Sequence, residues 1–291
     1  MTKIVIIGAG GRLGAALMRE YRDKYNVVGF NHAQLDLSKL NDVREKLRPT
    51  NFDVLINAAA FTNVDLCETE RDRAYLINAE APALLANICR DKAAKLIHFS
   101  TDYVFDGKKR TPYTEEDEAN PISVYGASKL AGEKNVLAGE NRHLVVRVSW
   151  VFGPDRPSFV DGIIKRAEET QKVDAIADKF STPAYTLDIA KMLPNFLNAN
   201  VEGGILHFAN AGECSWQEYA QWAVDCCREA GLPLKARIVG AFKLKDIAGW
   251  VARRPVYSVL STAKYTESTG MSPRTWRDAV ADYITRFYSK K

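Results

Sequence analysis

The chain has 291 residues, of which 46% are hydrophobic and 26% charged, and a formal net charge of +4. That length allows one large or two interlocked domains with a sizeable core, and the composition is that of an ordinary globular protein. Lys and Arg are spread among Asp and Glu without a long basic stripe, which argues against a nucleic-acid binder, and no apolar run reaches membrane-spanning length.

From the N-terminus, Lys3-Ile4-Val5-Ile6-Ile7 reads as a buried strand that enters Gly8-Ala9-Gly10-Gly11-Arg12-Leu13-Gly14 and then a helix over 13–25. Gly8, Gly11 and Gly14 permit positive φ, close backbone approach to a diphosphate and tight packing of helix on strand, while the helix N-terminus offers free N–H groups. Arg12 interrupts the apolar start, so a glycine turn explains this stretch better than a signal peptide does. Further short apolar runs at 27–30, 54–56, 96–99 and 144–148 read as parallel strands, with helices over 40–47, 79–91 and 125–138 between them. The repeated βα unit predicts an α/β, doubly wound parallel sheet. Ligands on such sheets lie beyond the carboxyl ends of the strands, where the glycine turn, Asn57 to Ala60, Ser100-Thr101 and Ser149-Trp150 all fall.

After the second strand comes Phe30-Asn31-His32, with no carboxylate to repel a ribose 2′-phosphate, and Arg12 is placed to neutralise one; NADPH is therefore favoured, with NADH retained. Tyr125 and Lys129 are four residues apart and share a helix face, so the ammonium is placed to favour the phenolate, against the plainer reading of a surface Tyr and a solvated Lys. Beyond Gly153-Pro154 the alternation weakens into a smaller lobe rich in Pro and Gly turns. Lys108-Lys109-Arg110 reads as a solvated loop. The five cysteines are an odd set without C-x-x-C, which points to free thiols, no disulfide framework or zinc site, and cytoplasmic residence.

Taken together, the glycine turn, Asn57-Ala58-Ala59-Ala60, Ser100-Thr101 and Tyr125/Lys129 resemble the extended short-chain dehydrogenase/reductase superfamily over nearly the whole chain. Ala60-Phe61-Thr62-Asn63-Val64-Asp65 with Glu68, Ser100 to Gly107, Leu130-Ala131-Gly132-Glu133 and Ser149-Trp150-Val151-Phe152 resemble the dTDP-4-dehydrorhamnose reductases within it. The resemblance implies a Rossmann-like cofactor domain over 1–153, to which 186–210 returns, and a substrate lobe over 154–185 and 211–291. It implies catalysis by Thr101, Tyr125 and Lys129. The cofactor is expected at Gly8, Gly11, Arg12, Leu13, Gly14, Asn31, Asp36, Leu37, Ala58, Ala59, Ala60 and Ser100, together with Tyr125 and Lys129; Asp36 is alternatively a cap of the helix that follows. Thr62, Val64, Thr101, Asp102, Tyr103 and Trp150 are expected to line a hexose pocket, where Tyr103 and Trp150 are otherwise core aromatics.

Arg254, in Arg253-Arg254-Pro255-Val256-Tyr257-Ser258-Val259-Leu260, is expected on the diphosphate of a nucleotide-sugar substrate, against the alternative of an exposed arginine pair. Sister dehydratases carry a Glu where this chain has Tyr103, so dehydration is disfavoured. The implied reaction is NADPH-dependent reduction of the 4-keto group of dTDP-4-dehydro-6-deoxy-L-mannose to dTDP-L-rhamnose. The alternatives are a reductase of another nucleotide-4-keto-6-deoxyhexose and a regulatory protein resembling the β subunit of methionine adenosyltransferase; the set Thr101, Tyr125 and Lys129 weighs against the latter. A homodimer is compatible with the resemblance. Some relatives join through magnesium held by acidic residues, one of them early in the first helix; Ala15-Ala16 stand there, and no metal is expected.

Overall fold

Apolar runs too short for helices and without polar alternation have to be buried on both faces. Here they make one parallel sheet of β1 (Lys3–Ile7), β2 (Asn26–Phe30), β3 (Val54–Asn57), β4 (Lys95–Thr101), β5 (Leu144–Val148) and β6 (Gly204–His207), side by side as β6-β5-β4-β3-β1-β2. The computed structural model describes residues 1–138, 141–198 and 201–289. Its helices run α1 (Arg12–Tyr21), α2 (Leu40–Leu47), α3 (Val64–Thr69), α4 (Arg71–Tyr75), α5 (Ala81–Asp91) and α6 (Val124–Leu137) in the first half. The second half adds α7 (Phe159–Glu169), α8 (Thr186–Met192), α9 (Trp216–Glu229), α10 (Ala263–Thr269) and α11 (Trp276–Phe287).

Side chains alternate across β1. Ile4 and Ile6 pack under Leu13, Leu17 and Tyr21 of α1 and Ile189 and Met192 of α8. Val5 and Ile7 pack under Val43 and Leu47 of α2, Leu85 and Ile88 of α5 and Val136 of α6. Both faces are covered, which makes the sheet doubly wound. Tyr21 is fully buried, yet its hydroxyl donates to the Ala190 carbonyl at 2.8 Å, so the polar tip is satisfied.

Two predicted helices differ from those observed. The first ends at Tyr21, where the N–H groups of Lys24 and Tyr25 both return to the Tyr21 carbonyl and turn the chain toward β2. The helix expected over 79–91 is the tail of a longer unit in which α4 passes through a π turn, Leu76–Glu80, into α5. Pro82 has no N–H to return to the Asn78 carbonyl, and the helix widens there.

The remaining chain builds an aromatic core of Phe152, Tyr185, Tyr219, Trp276 and Tyr283 among α7, α9 and α11. Beside it lies a parallel pair of strands, Val173–Ile176 with Val239–Phe242. β6 and α8 belong to the central sheet and its cover. All five cysteines are free and buried, and burial pushes the thiols of Cys226 and Cys227 on α9 up to about 12. No described helix is long and apolar enough to cross a membrane.

Gly14 marks where α1 crosses the end of β1, and a methyl group there would stand 2.1 Å from the Gly8 carbonyl oxygen. The obstacle is backbone and cannot swing away. Gly14→Ala is expected to cost about 1–3 kcal/mol, read as a lower urea midpoint at unchanged slope; a wild-type midpoint would mean that loop and helix separate freely.

Candidate active site

The connection from β1 leads to β2 on one side and that from β3 leads to β4 on the other, so the strand order reverses between β1 and β3 and leaves a crevice beyond their carboxyl ends. A cavity of about 980 Å³ opens there. One end is the glycine loop, where Gly8, Gly11, Arg12 and Leu13 form the wall. Gly8 adopts φ +82°, and a Cβ on it would lie 2.8 Å from the Ala59 nitrogen, so only glycine admits this approach of β1 to β3. Gly11 caps α1 without a side-chain hydrogen bond and no acid occupies the first turn, which leaves the helix N-terminus open to an anion. Gly14 lies behind the wall, against Gly8.

Asn31 and His32 line the same cavity where β2 ends. Asp36 and Leu37 line a neighbouring space of about 140 Å³, which shares Gly8, His32, Ala59 and Ala60 with the larger one. The Asp36 carboxylate accepts from Ser38 N–H and Oγ at 2.9 and 2.8 Å. It therefore caps the turn before α2, whose own N-cap is Lys39. Arg12 donates to the carbonyls of Arg156 and Pro157. Arg156 in turn donates to the Gly10 carbonyl at 3.0 Å and lines the cavity. Sequence reasoning passed over Arg156, because only folding returns the stretch after Gly153-Pro154 to the glycine loop.

Ala58, Ala59, Ala60, Ser100, Thr101, Tyr125 and Lys129 meet in the middle of the cavity. Ser123 caps α6 by accepting from Gly126 N–H, and the Glu68 carboxylate accepts from Val124 N–H at 2.9 Å, which fixes the turn that carries Tyr125. Asn78, on the π turn, accepts from Phe61 N–H at 2.9 Å and donates to the Phe61 carbonyl and Ser128 Oγ, joining the loop after β3 to α6. Nothing in the residue pattern had marked Asn78.

Burial pushes the Tyr125 phenol well up, against a hydrogen bond with Thr101 that works the other way. Burial is a larger influence on this phenol than Lys129, which the residue pattern set to favour the phenolate. Its amine donates to the Phe99 carbonyl at 2.7 Å and lies 3.2 Å from His98 Nε2, and burial brings Lys129 itself down to about 8. The helical spacing is as read, but desolvation dominates both groups. Tyr125 is thus held as a phenol, the form that gives a proton.

Thr62, Val64, Thr101, Asp102, Tyr103 and Trp150 line the far end. The Asp102 carboxylate is buried and accepts from Thr101 Oγ1 at 3.1 Å, Ser181 Oγ at 3.2 Å and Ser258 Oγ at 2.5 Å. Lys179, unmarked in the sequence, is buried against the rings of Tyr103 and Trp150. Trp150 adopts φ +40°, a strained conformation for so large a residue, and among the described residues neither its buried Nε1 nor Ser100 Oγ has a hydrogen-bond partner.

Like Gly14, Asp36 and Leu37, Arg254 is an expected site residue that does not form the wall of the larger cavity. Its guanidinium pairs with both oxygens of Asp65, at 3.3 and 2.7 Å, and stacks on Trp250. Asp65 also accepts from the N–H groups of Val251 and Ala252. This docks the 251–254 segment on α3, beside Thr62 and Val64. Arg253 is exposed, whereas Arg254 is half-buried. Among the described residues, no three His, Cys, Asp or Glu side chains converge to hold a metal.

A family model described as the RmlD substrate binding domain matches residues 1–289. The chain is 38% identical over 286 residues to the dTDP-4-dehydrorhamnose reductase of Mycolicibacterium smegmatis, covering 97% of this chain and 85% of that protein. It is 35% identical to the spore coat polysaccharide biosynthesis protein SpsK of Bacillus subtilis, covering 98% and 97%. Among solved structures it resembles the dTDP-4-dehydrorhamnose reductase of Bacillus anthracis in complex with NADP. There the TM-score is 0.90 at 30% identity, and 98% of this chain and 99% of that one are covered.

The bond to Arg254 holds the Asp65 carboxyl below its usual range. A carboxyl lowered by folding contributes stability that is present above the unfolded pKa, about 3.9, and lost as pH falls through the folded value. Urea midpoints should therefore drop in that acid window more steeply for the wild type than for Asp65→Asn. Parallel curves would show that the docking of 251–254 does not depend on this charge.

Proposed function

This chain belongs to the RmlD substrate binding domain family, and from that premise we propose that it reduces the 4-keto group of dTDP-4-dehydro-6-deoxy-L-mannose with NADPH, giving dTDP-L-rhamnose. The observation that carries the reading is one continuous cavity whose walls include both the glycine loop and the set Thr101, Tyr125 and Lys129. The residues fit a dinucleotide. The uncapped N-terminus of α1 and Arg156 suit its diphosphate, Ala58 to Ala60 leave room over the end of β3, and Ser100 Oγ lacks a partner. Asn31 and His32 bring no carboxylate to the end of β2, in keeping with a 2′-phosphate. When bound, NADPH supplies the hydride.

In this reading Tyr125 gives its hydroxyl proton to the carbonyl oxygen of the sugar, a task for which burial keeps the phenol protonated. Thr101 turns its hydroxyl from Asp102 to donate a hydrogen bond to the same oxygen and fixes its direction. Lys129 binds ribose hydroxyls one helical turn away from Tyr125. Trp150 and Tyr103 pack against the apolar face of the 6-deoxy sugar. Arg254 serves the diphosphate from the rim next to Thr62 and Val64 after exchanging Asp65 for phosphate oxygens. Residues 1–153 with 186–210 form the cofactor domain, and 154–185 with 211–291 the substrate lobe. Buried free thiols suit a reducing, cytoplasmic setting.

The experiment is NADPH oxidation with dTDP-4-dehydro-6-deoxy-L-mannose, run beside NADH and identified by its product. Tyr125→Phe is expected to lower kcat about 10²–10⁴-fold while leaving NADPH affinity near the wild type. Undiminished turnover in that variant would remove Tyr125 as the acid, and NADPH binding without oxidation would remove this sugar as the substrate.

A further inference from the structure

Lys179 is fully buried, and no role above uses it. It precedes the short strand Phe180–Ser181, which is fixed on the 256–258 segment: Phe180 N–H donates to the Val256 carbonyl at 2.7 Å, and the Phe180 carbonyl accepts from Ser258 N–H at 2.9 Å. The Lys179 amine donates to the Pro255 carbonyl at 3.0 Å and lies 5.2 Å from the centre of the Tyr103 ring and 5.5 Å from that of Trp150. Both rings wall the far end of the cavity, and Lys179 is not part of that wall. A buried ammonium is costly, and an uncharged side chain of similar volume would fill the space at less cost. Here the charge meets one carbonyl and two aromatic faces, and ring faces attract a desolvated cation most strongly. Trp150 gives that attraction a task, because its backbone at φ +40° is strained and has to be held by its surroundings. Trp216 and Tyr219 flank the ring at 5.6 and 6.2 Å, and Lys179 supplies the charged contact.

We propose that Lys179 is a positioning residue for the sugar pocket: as an ammonium it holds the rings of Tyr103 and Trp150 from behind the wall and ties them, through the Pro255 carbonyl, to the segment that carries Arg254. The inference rests on the reading that these two rings receive the sugar. Three other titratable groups bear on this amine. Asp102 and Tyr103 face it from the turn after β4, and Arg254 from the 251–254 segment. Burial lowers the amine to about 8, while Asp102 favours its charge and Arg254 opposes it. The ammonium therefore prevails at neutral pH. Its hold on the two rings is lost as pH rises through about 8, where the cation gives way to an amine that no ring face attracts.

Near-ultraviolet circular dichroism, which reads the packing of aromatic rings, tests the charge without any ligand. The wild-type signal should change in a step centred near pH 8, and Lys179→Met should lack that step. In the reduction of dTDP-4-dehydro-6-deoxy-L-mannose at neutral pH, Lys179→Met should raise KM for the sugar nucleotide about tenfold, the worth of one buried cation–π contact. Its kcat and NADPH affinity should stay near the wild type, and the wild-type KM should climb toward the variant's at alkaline pH. A flat wild-type signal, a step that persists in the variant, an unchanged KM, or a loss shared equally by NADPH affinity would overturn the proposal. Should Lys179→Met not fold, Trp150→Phe replaces it in the dichroism experiment, where it should lose most of the step; a step of wild-type size would be fatal to the idea. A protein that reduces no keto sugar would defeat the reductase reading and leave the dichroism result standing, so the two failures are distinguishable.

Discussion

Tyr125 and Lys129 reach the end of the sheet only because α6 lies closer to its neighbours than any Cβ would allow. A methyl on Gly126 would stand 2.2 Å from the Tyr103 carbonyl, and one on Gly132 would stand 2.1 Å from that of Asn78. With those two glycines, the helix seats the phenol beside Thr101 and the amine on the Phe99 carbonyl. The parallel register of β3, β4 and β5 then aligns the strand ends on which everything else in the cavity stands. Close packing of this kind transmits any displacement of the helix directly into the site.

The six-residue helix α3 ties this arrangement to the second half of the chain. A helix so short has no stability of its own in water. It is held by Asn63, whose side chain accepts from Leu66 N–H, and by the buried Cys67. In return, Glu68 anchors the first turn of α6 while Asp65 anchors the 251–254 segment. The helix that carries Tyr125 and the rim that carries Arg254 are thereby referred to the same few residues.

Burial also sets the electrostatics. Asp102 is raised, and Lys129 and Lys179 are lowered, each first by loss of water and each toward its neutral form. Hydrogen bonds from Thr101, Ser181 and Ser258 to Asp102 partly offset that cost. The low dielectric of such a site strengthens each remaining hydrogen bond and leaves any unpaired one costly.

Much of this was legible in residue types alone, because it depends on short-range rules. Strands show as brief apolar runs, a positive φ calls for glycine, and a spacing of four places Tyr125 and Lys129 on one helix face. These rules yielded the βα alternation, the glycine loop and the set of strand ends. What the chain order hides are pairings that only folding creates. Arg254 and Asp65 are 189 residues apart, and no periodicity joins them. Arg156 meets Gly10 across 146 residues. Asn78 acquires its place from a π turn upstream of Pro82. The state of Tyr125 belongs to the same class: spacing brings a cation one turn away, but the degree of burial, which governs the phenol, is a property of the packed site and of no single stretch of chain.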